Sequence, residues 1–278
     1  MIMKKTFRLT VVAMLLILLA ISPTMEAAVG DGAKDLENIR IRFFVGGDPG
    51  DAFGSIVYKG AKDAEKTLGV KVDYVFSGWN VERFVAQFRD AVAARPDAIC
   101  MMGHPGDEAI MPIAKKASEE GIIMMYQNVD VPKVRAEFGG GYVGANQVEQ
   151  GRTLALKALS MLNLKEGDRV AIFGPWGKPG RDIREGSVAN TLTEAGLVVD
   201  KLTNPEGVNS SPELLIPLVT GQLLSHPETK MIVFGGGQIL GAVPRFMSAA
   251  GKKPGEVYCI GFDLSPAVLD AFKKGYVQ

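Results

Sequence analysis

Side chains able to bind or transfer protons recur at one kind of position in this chain, the loop that follows an apolar, strand-like run. Asp48 and Asp51 lie in GGDPGDAFG, His104 in GHPG, and Asn128 and Asp130 in QNVDVP. Lys178, Arg181 and Arg184 lie in GKPGRDIREG, Gln238 in GGGQ and Asp263 in GFD. Phe53, Tyr126 and Trp176 accompany them. Asp, Asn and Arg supply the paired donors and acceptors that hydroxyl groups require, and aromatic rings cover apolar C–H faces. Singly, each has an ordinary reading: an Asp before a helix is commonly its cap, and an aromatic there is commonly core. Their recurrence after successive strands is what points to a bound, hydroxyl-rich molecule.

Covalent chemistry finds little support. No G-x-x-x-x-G-K-[ST] loop is present, and neither GPWGKPG nor GGGQILG has the G-x-G-x-x-G order of a dinucleotide site. A G-x-S-x-G elbow and an H-E-x-x-H pair are also absent. The histidines, His104 and His226, are far apart and have no cysteine nearby, so no metal is expected. The expectation is a non-enzymatic chain with no cofactor, in which His104, on a strand-exit loop, reads equally as a polar ligand contact or as a structural residue.

The elements that position these residues follow from periodicity. Ile39–Phe76 reads as strand, Gly/Asp/Pro loop, helix and strand, with Phe53, Ile56, Val57, Gly60, Ala61, Ala64 and Leu68 forming one apolar-to-small helical stripe. Asn80 caps a second helix carrying Val81, Phe84, Val85, Phe88 and Val92. DAICMMG and IIMMYQ read as strands, with a helix over 108–120 between them. Residues 128–141 carry no regular pattern, and a long helix spans 146–163. The opening plan then repeats in DRVAIFGPWGKPGRDIREGSVANTLTEAGLVVDKL, roughly 130 residues further on. A helix opened by Ser211-Pro212, strand MIVFGGG, a helix over 238–250 kinked at Pro244, strand VYCIGFD, helix PAVLDAFKK and the start of a strand in YVQ complete the chain.

Strand–helix alternation predicts an α/β fold of two doubly wound parallel-sheet domains with helices on both faces. In such sheets ligands bind beyond the carboxyl ends of the strands, where the polar residues fall. A length of 278 residues accords with two domains, here 38–143 and 144–278.

Lys plus Arg and Asp plus Glu both number 31. This zero balance argues against nucleic acid or an anionic membrane as partner. Residues 1–28 read as a signal peptide. Lys4, Lys5 and Arg8 precede an apolar run of about 13 residues, shorter than the ~20 of a membrane span, and Ala27-Ala28 follows. The mature chain is therefore expected to be exported. Cys100 and Cys259 lie mid-strand in different units and are expected to be buried and free.

With these residues in view, the chain resembles the periplasmic sugar-binding proteins of the ribose/galactose-binding type, the type I solute receptors of ABC importers. The resemblance rests on GDPGDAFGSIVYKGAKDAEKTLG, the Asn of YQNVDVP, YVGAN before a long helix, R-x-x-S-V in RDIREGSVANTL, and VYCIGFDLSPAVLDAFKKGYVQ. It implies two lobes on a hinge with a monosaccharide or polyol clamped between them, periplasmic and monomeric, serving a membrane permease. By position, Asp51 would bond hydroxyls and Phe53 stack on one ring face. Asn128, Arg184 and Asp263 would contact hydroxyls, Trp176 would form the opposite stacking wall near Lys178, and Gln238 would supply an amide.

Three departures stand out. Gly54 replaces a second aromatic that many relatives carry, which implies a wider pocket or weaker stacking. Val129 stands where some relatives are charged. Relatives continue beyond the position of Gln278 through a further interdomain crossing, so a C-terminally truncated chain with an incomplete hinge and an incomplete first lobe is expected. Three other readings compete. A sensory receptor of the same fold would present its ligand to a chemoreceptor or kinase. An exported α/β enzyme would need a nucleophile–base pair. A repressor would carry a helix-turn-helix in place of the signal peptide.

Overall fold

The computed structural model describes residues 36–178 and 181–278; the candidate signal peptide lies outside them. Leu36–Asn38 is a single 3-10 turn. From Ile39 onward the chain forms one unit that contains two parallel sheets.

The first sheet has the order β2-β1-β3-β4-β5. Its strands are β1 (Arg40–Gly46), β2 (Lys71–Phe76), β3 (Ala98–Met102), β4 (Ile123–Gln127) and β5 (Gly141–Val143). The second sheet has the order β7-β6-β8-β9, from β6 (Arg169–Gly174), β7 (Val198–Thr203), β8 (Met231–Phe234) and β9 (Tyr258–Gly261). Every strand pair is parallel, as the βαβ connections require. Among the described residues the chain passes between sheets once, from Val143 to Gln147. There the Tyr142 hydroxyl and Gln147 Nε2 both donate to the Asn128 carbonyl, at 2.8 and 3.4 Å. The two-domain α/β architecture expected from strand–helix alternation is therefore present.

The first two helices begin at side-chain caps. Asp51 caps α1 (Ala52–Leu68), and Asn80 Oδ1 accepts from Arg83 N at 2.8 Å to cap α2 (Val81–Ala93). Helices α3 (Asp107–Glu119), α4 (Pro132–Phe138) and α5 (Gln147–Met161) follow. Helix α4 falls within 128–141, where no regular element was expected. Its seven residues are too few to show a period, yet Pro132 at its first turn and buried Val131 and Val134 anchor it. Helix α6 (Ile183–Glu194) packs on α5, and Ser187 Oγ donates to Val148 O at 2.6 Å.

After Ser211 a 3-10 turn at Pro212–Leu215 precedes α7 (Ile216–Ser225), and the Ser211 hydroxyl makes no cap bond. The helix expected over 238–250 is two, α8 (Gly237–Gly241) and α9 (Val243–Ala249). Pro244 lies in the first turn of the second, where its missing N–H is harmless, so the bend becomes a break. Helix α10 (Pro266–Lys273) is capped by Ser265. Tyr276–Gln278 forms no strand, although Gln278 N donates to Cys259 O at 3.0 Å.

Phe44, Phe84, Phe88, Ile99, Met101 and Ile110 form the core of the first sheet. The second sheet is covered on both faces, by Phe173, Phe234 and Phe246 on one and Ile172, Val188 and Val233 on the other. The α1 stripe is less covered than its pattern suggests. Phe53, Val57 and Ala61 are half-buried, whereas Ile56, Gly60, Ala64 and Leu68 are exposed. Both cysteines are free, and burial pushes their thiols up, Cys100 to about 11 and Cys259 to about 12. Cys100 is partly rather than fully buried.

Candidate ligand-binding site

The loops after β1 and β3 of the first lobe meet those after β8 and β6 of the second. Among the described residues, two side-chain hydrogen bonds join these loops across the lobes. Arg181 Nη1 donates to His104 O at 2.8 Å, and Gln238 Nε2 donates to Asp51 Oδ1 at 3.4 Å. Helices α1 and α8 touch at the same place.

Asp51 is the centre of the first-lobe side. One carboxylate oxygen caps α1 by accepting from Gly54 N, and the other accepts from Trp79 Nε1 at 3.1 Å. Burial raises its pKa, against the lowering effect of the hydrogen bonds, with that from Gly54 foremost. The cap reading and the site reading of Asp51 are thus compatible. Gly54 also serves the cap. A Cβ there would lie 2.9 Å from each Asp51 carboxylate oxygen, so the glycine makes room for the folded-back carboxylate.

An aromatic does stand beside Phe53, and it comes from elsewhere in the chain. The Trp79 ring centroid is 6.1 Å from that of Phe53 and 5.6 Å from the imidazole of His104. Trp79 has φ +61°, uncommon for so bulky a residue, and its N–H donates to Gly46 O at 2.9 Å. The Gly/Trp pair in SGWN, directly after β2, is the sequence signal for it.

His104 lies behind this pair, 1% exposed, edge-on to Phe84 at 4.7 Å. Neither ring nitrogen has a hydrogen-bond partner among the described residues. Burial, with the Arg181 charge adding to it, holds the imidazole neutral, its pKa lowered to about 3. Asn128 is half-buried with φ +60°, its amide 3.7 Å from Met102 Sδ. Asp130 is engaged elsewhere, in a two-point ion pair with Arg135.

On the second-lobe side, Arg184 lies over the Phe262 ring at 3.9 Å and donates to Gly235 O and to Glu185. Asp263, at φ +66°, accepts from Gly237 N at 3.2 Å, the N–H that opens α8. Phe262 precedes Asp263 and could have been found by that adjacency. Lys178 is exposed. Trp176 is folded onto its own lobe: Nε1 donates to Ile172 O at 3.0 Å and Lys201 Nζ lies 5.0 Å over the ring. That placement is a buttress of β6, because an indole N–H under the sheet edge takes the nearest free carbonyl.

Two parallel-sheet lobes meet at the carboxyl edges of their strands, the edge where such sheets bind ligands. A family model described as periplasmic binding protein domain matches residues 42–278, and the chain belongs to that family. No curated protein matches the sequence. Among solved structures, an ABC-transporter solute-binding protein from Burkholderia graminis C4D1M, in complex with D-arabinose, is similar with TM-score 0.75 and 24% identity, covering 88% of this chain and 82% of that one. A glucose-galactose binding protein from Geobacillus stearothermophilus has TM-score 0.75 at 19% identity, with coverage of 86% and 82%. A carbohydrate transporter protein from Acidothermus cellulolyticus 11B, in complex with myo-inositol, has TM-score 0.71 at 21% identity, with coverage of 86% and 79%.

Proposed function

We propose that this chain binds a monosaccharide or similar polyhydroxylated small molecule between lobes 38–143 and 144–278. The observation that carries the reading is the convergence of Asp51, Gln238 and Arg181 across the lobe junction, beside the Phe53–Trp79 aromatic pair. Carboxylate and amide groups next to an aromatic face suit a molecule with hydroxyls on its edge and C–H groups on its faces. The arabinose and inositol complexes of similar folds support the ligand class. Asp51, Phe53, Asn128, Arg184, Gln238 and Asp263 form the proposed contact set, with Trp79 added. His104 supports the aromatic wall from behind, Lys178 stands at the rim, and Trp176 braces its own lobe.

In this reading the protein is an exported, monomeric, non-enzymatic receptor, and the closed form with ligand is what an ABC permease recognises. Ligand binding shifts the lobes toward that closed form. Thermal melts with D-arabinose, D-galactose and myo-inositol test the ligand class. An upward shift that Arg184→Ala and Asp263→Ala reduce is expected; unchanged shifts in both variants would remove these residues from the site. Co-purification with a permease, rather than with a chemoreceptor or kinase, tests the partner.

A further inference from the structure

Glu185 is a carboxylate in an unusual place. It lies on α6 next to Arg184 and is only 3% exposed, whereas acidic side chains are almost never buried unless paired. Its Oε1 accepts from Arg184 Nη2 at 3.2 Å and Nε at 3.4 Å. Arg184 Nη2 also donates to the Gly235 carbonyl, and Phe262 lies under the guanidinium plane. The guanidinium is thereby held on two edges and one face. Nη1 is left as the nitrogen without a hydrogen bond to the described residues.

The backbone around Glu185 is adapted to it. A Cβ on Gly235 would lie 2.6 Å from Glu185 Oε1, too close for any real contact, so the glycine after β8 leaves room for the carboxylate. Its charge also reaches Arg181, the residue that bonds to His104 across the lobes. Two arginines at a ligand edge would by themselves attract anions. A buried carboxylate beside them cancels part of that attraction, and Asp51 and Asp263 add repulsion.

We propose that Glu185 is a positioning and specificity-determining residue. It fixes Arg184 with Nη1 free for a ligand hydroxyl, and it keeps the cleft selective for neutral sugars over sugar acids. The proposal rests on the sugar-binding reading given above.

The test measures the affinity of the full chain for D-arabinose, D-galactose and myo-inositol, and for D-arabinonate and D-galacturonate, by calorimetry. Glu185→Gln keeps the shape and removes the charge. About tenfold weaker binding of the neutral compounds is expected, the scale of one charge-assisted hydrogen bond, with a several-fold rise in the acid-to-neutral affinity ratio. Glu185→Asp should recover the wild-type ratio in part. If Glu185→Gln unfolds, the same ratio is read in Gly235→Ala, which crowds the carboxylate without changing any charge. There the neutral compounds should weaken and the ratio should stay at the wild-type value. Unchanged affinities and ratio in a folded Glu185→Gln, or unchanged neutral affinity in Gly235→Ala, overturn the proposal alone. A wild-type chain that binds none of the five compounds overturns the sugar-cleft reading and this proposal with it.

Discussion

Single substitutions let the site be tested one residue at a time. His104 is neutral and deeply buried, with its pKa held near 3 against an ordinary 6.5. Between those values the unfolded chain binds a proton that the folded chain refuses, so stability is full above about pH 6.5 and falls as pH drops toward 3. Urea midpoints measured from pH 7 to pH 4 should decline less steeply for His104→Gln than for wild type; parallel curves would mean that His104 does not set the slope. Trp79 and Trp176 are the two tryptophans. Sugar-induced emission change should vanish in Trp79→Phe and survive in Trp176→Phe, because only Trp79 stands beside Asp51 and Phe53. Gly54→Ala should push the Asp51 carboxylate off its cap. A loss of about 1 kcal/mol in urea unfolding and weaker sugar binding are expected together.

At the scale of elements, the capping residues do much of the placing. Asn80 both caps α2 and follows Trp79, so the cap fixes the turn that presents the indole. Asn80→Ala should cost about 1 kcal/mol in urea unfolding and also dampen the Trp79 emission change. If stability fell with no change in that signal, cap and indole would be uncoupled.

The same elements show what was legible in sequence. Strands such as β3 and β8 are continuous apolar runs ending in glycine, and α2 has a clear 3.6-residue stripe, so both could be read directly. Helix α4 could not, because seven residues span barely two turns. Trp79 escaped because its role depends on a left-handed turn and on a carboxylate 28 residues away, neither of which leaves a periodic trace. Trp176 folds back onto Ile172 and Lys201, a placement that residue type alone does not give, because strand-exit loops point either outward or back. The crowding of Gly54 by Asp51 leaves no trace in sequence because it exists only in three dimensions.

At the scale of the whole molecule, the two lobes touch, among the described residues, through few polar contacts, Arg181 to His104 and Gln238 to Asp51 foremost. A junction of that kind is held weakly by itself, and a ligand that bonds to both sides adds the missing attraction. Ligand saturation then stabilises the folded chain by RT ln(1 + [L]/Kd), about 2.7 kcal/mol at a hundredfold excess over Kd. The most direct test of the central claim is a thermal melt of the wild-type chain with and without D-arabinose, D-galactose and myo-inositol, repeated for Asp51→Ala. The account predicts a concentration-dependent rise in Tm with at least one of these compounds, lost or much reduced in the variant. No rise with any of them, or an equal rise in Asp51→Ala, would contradict it.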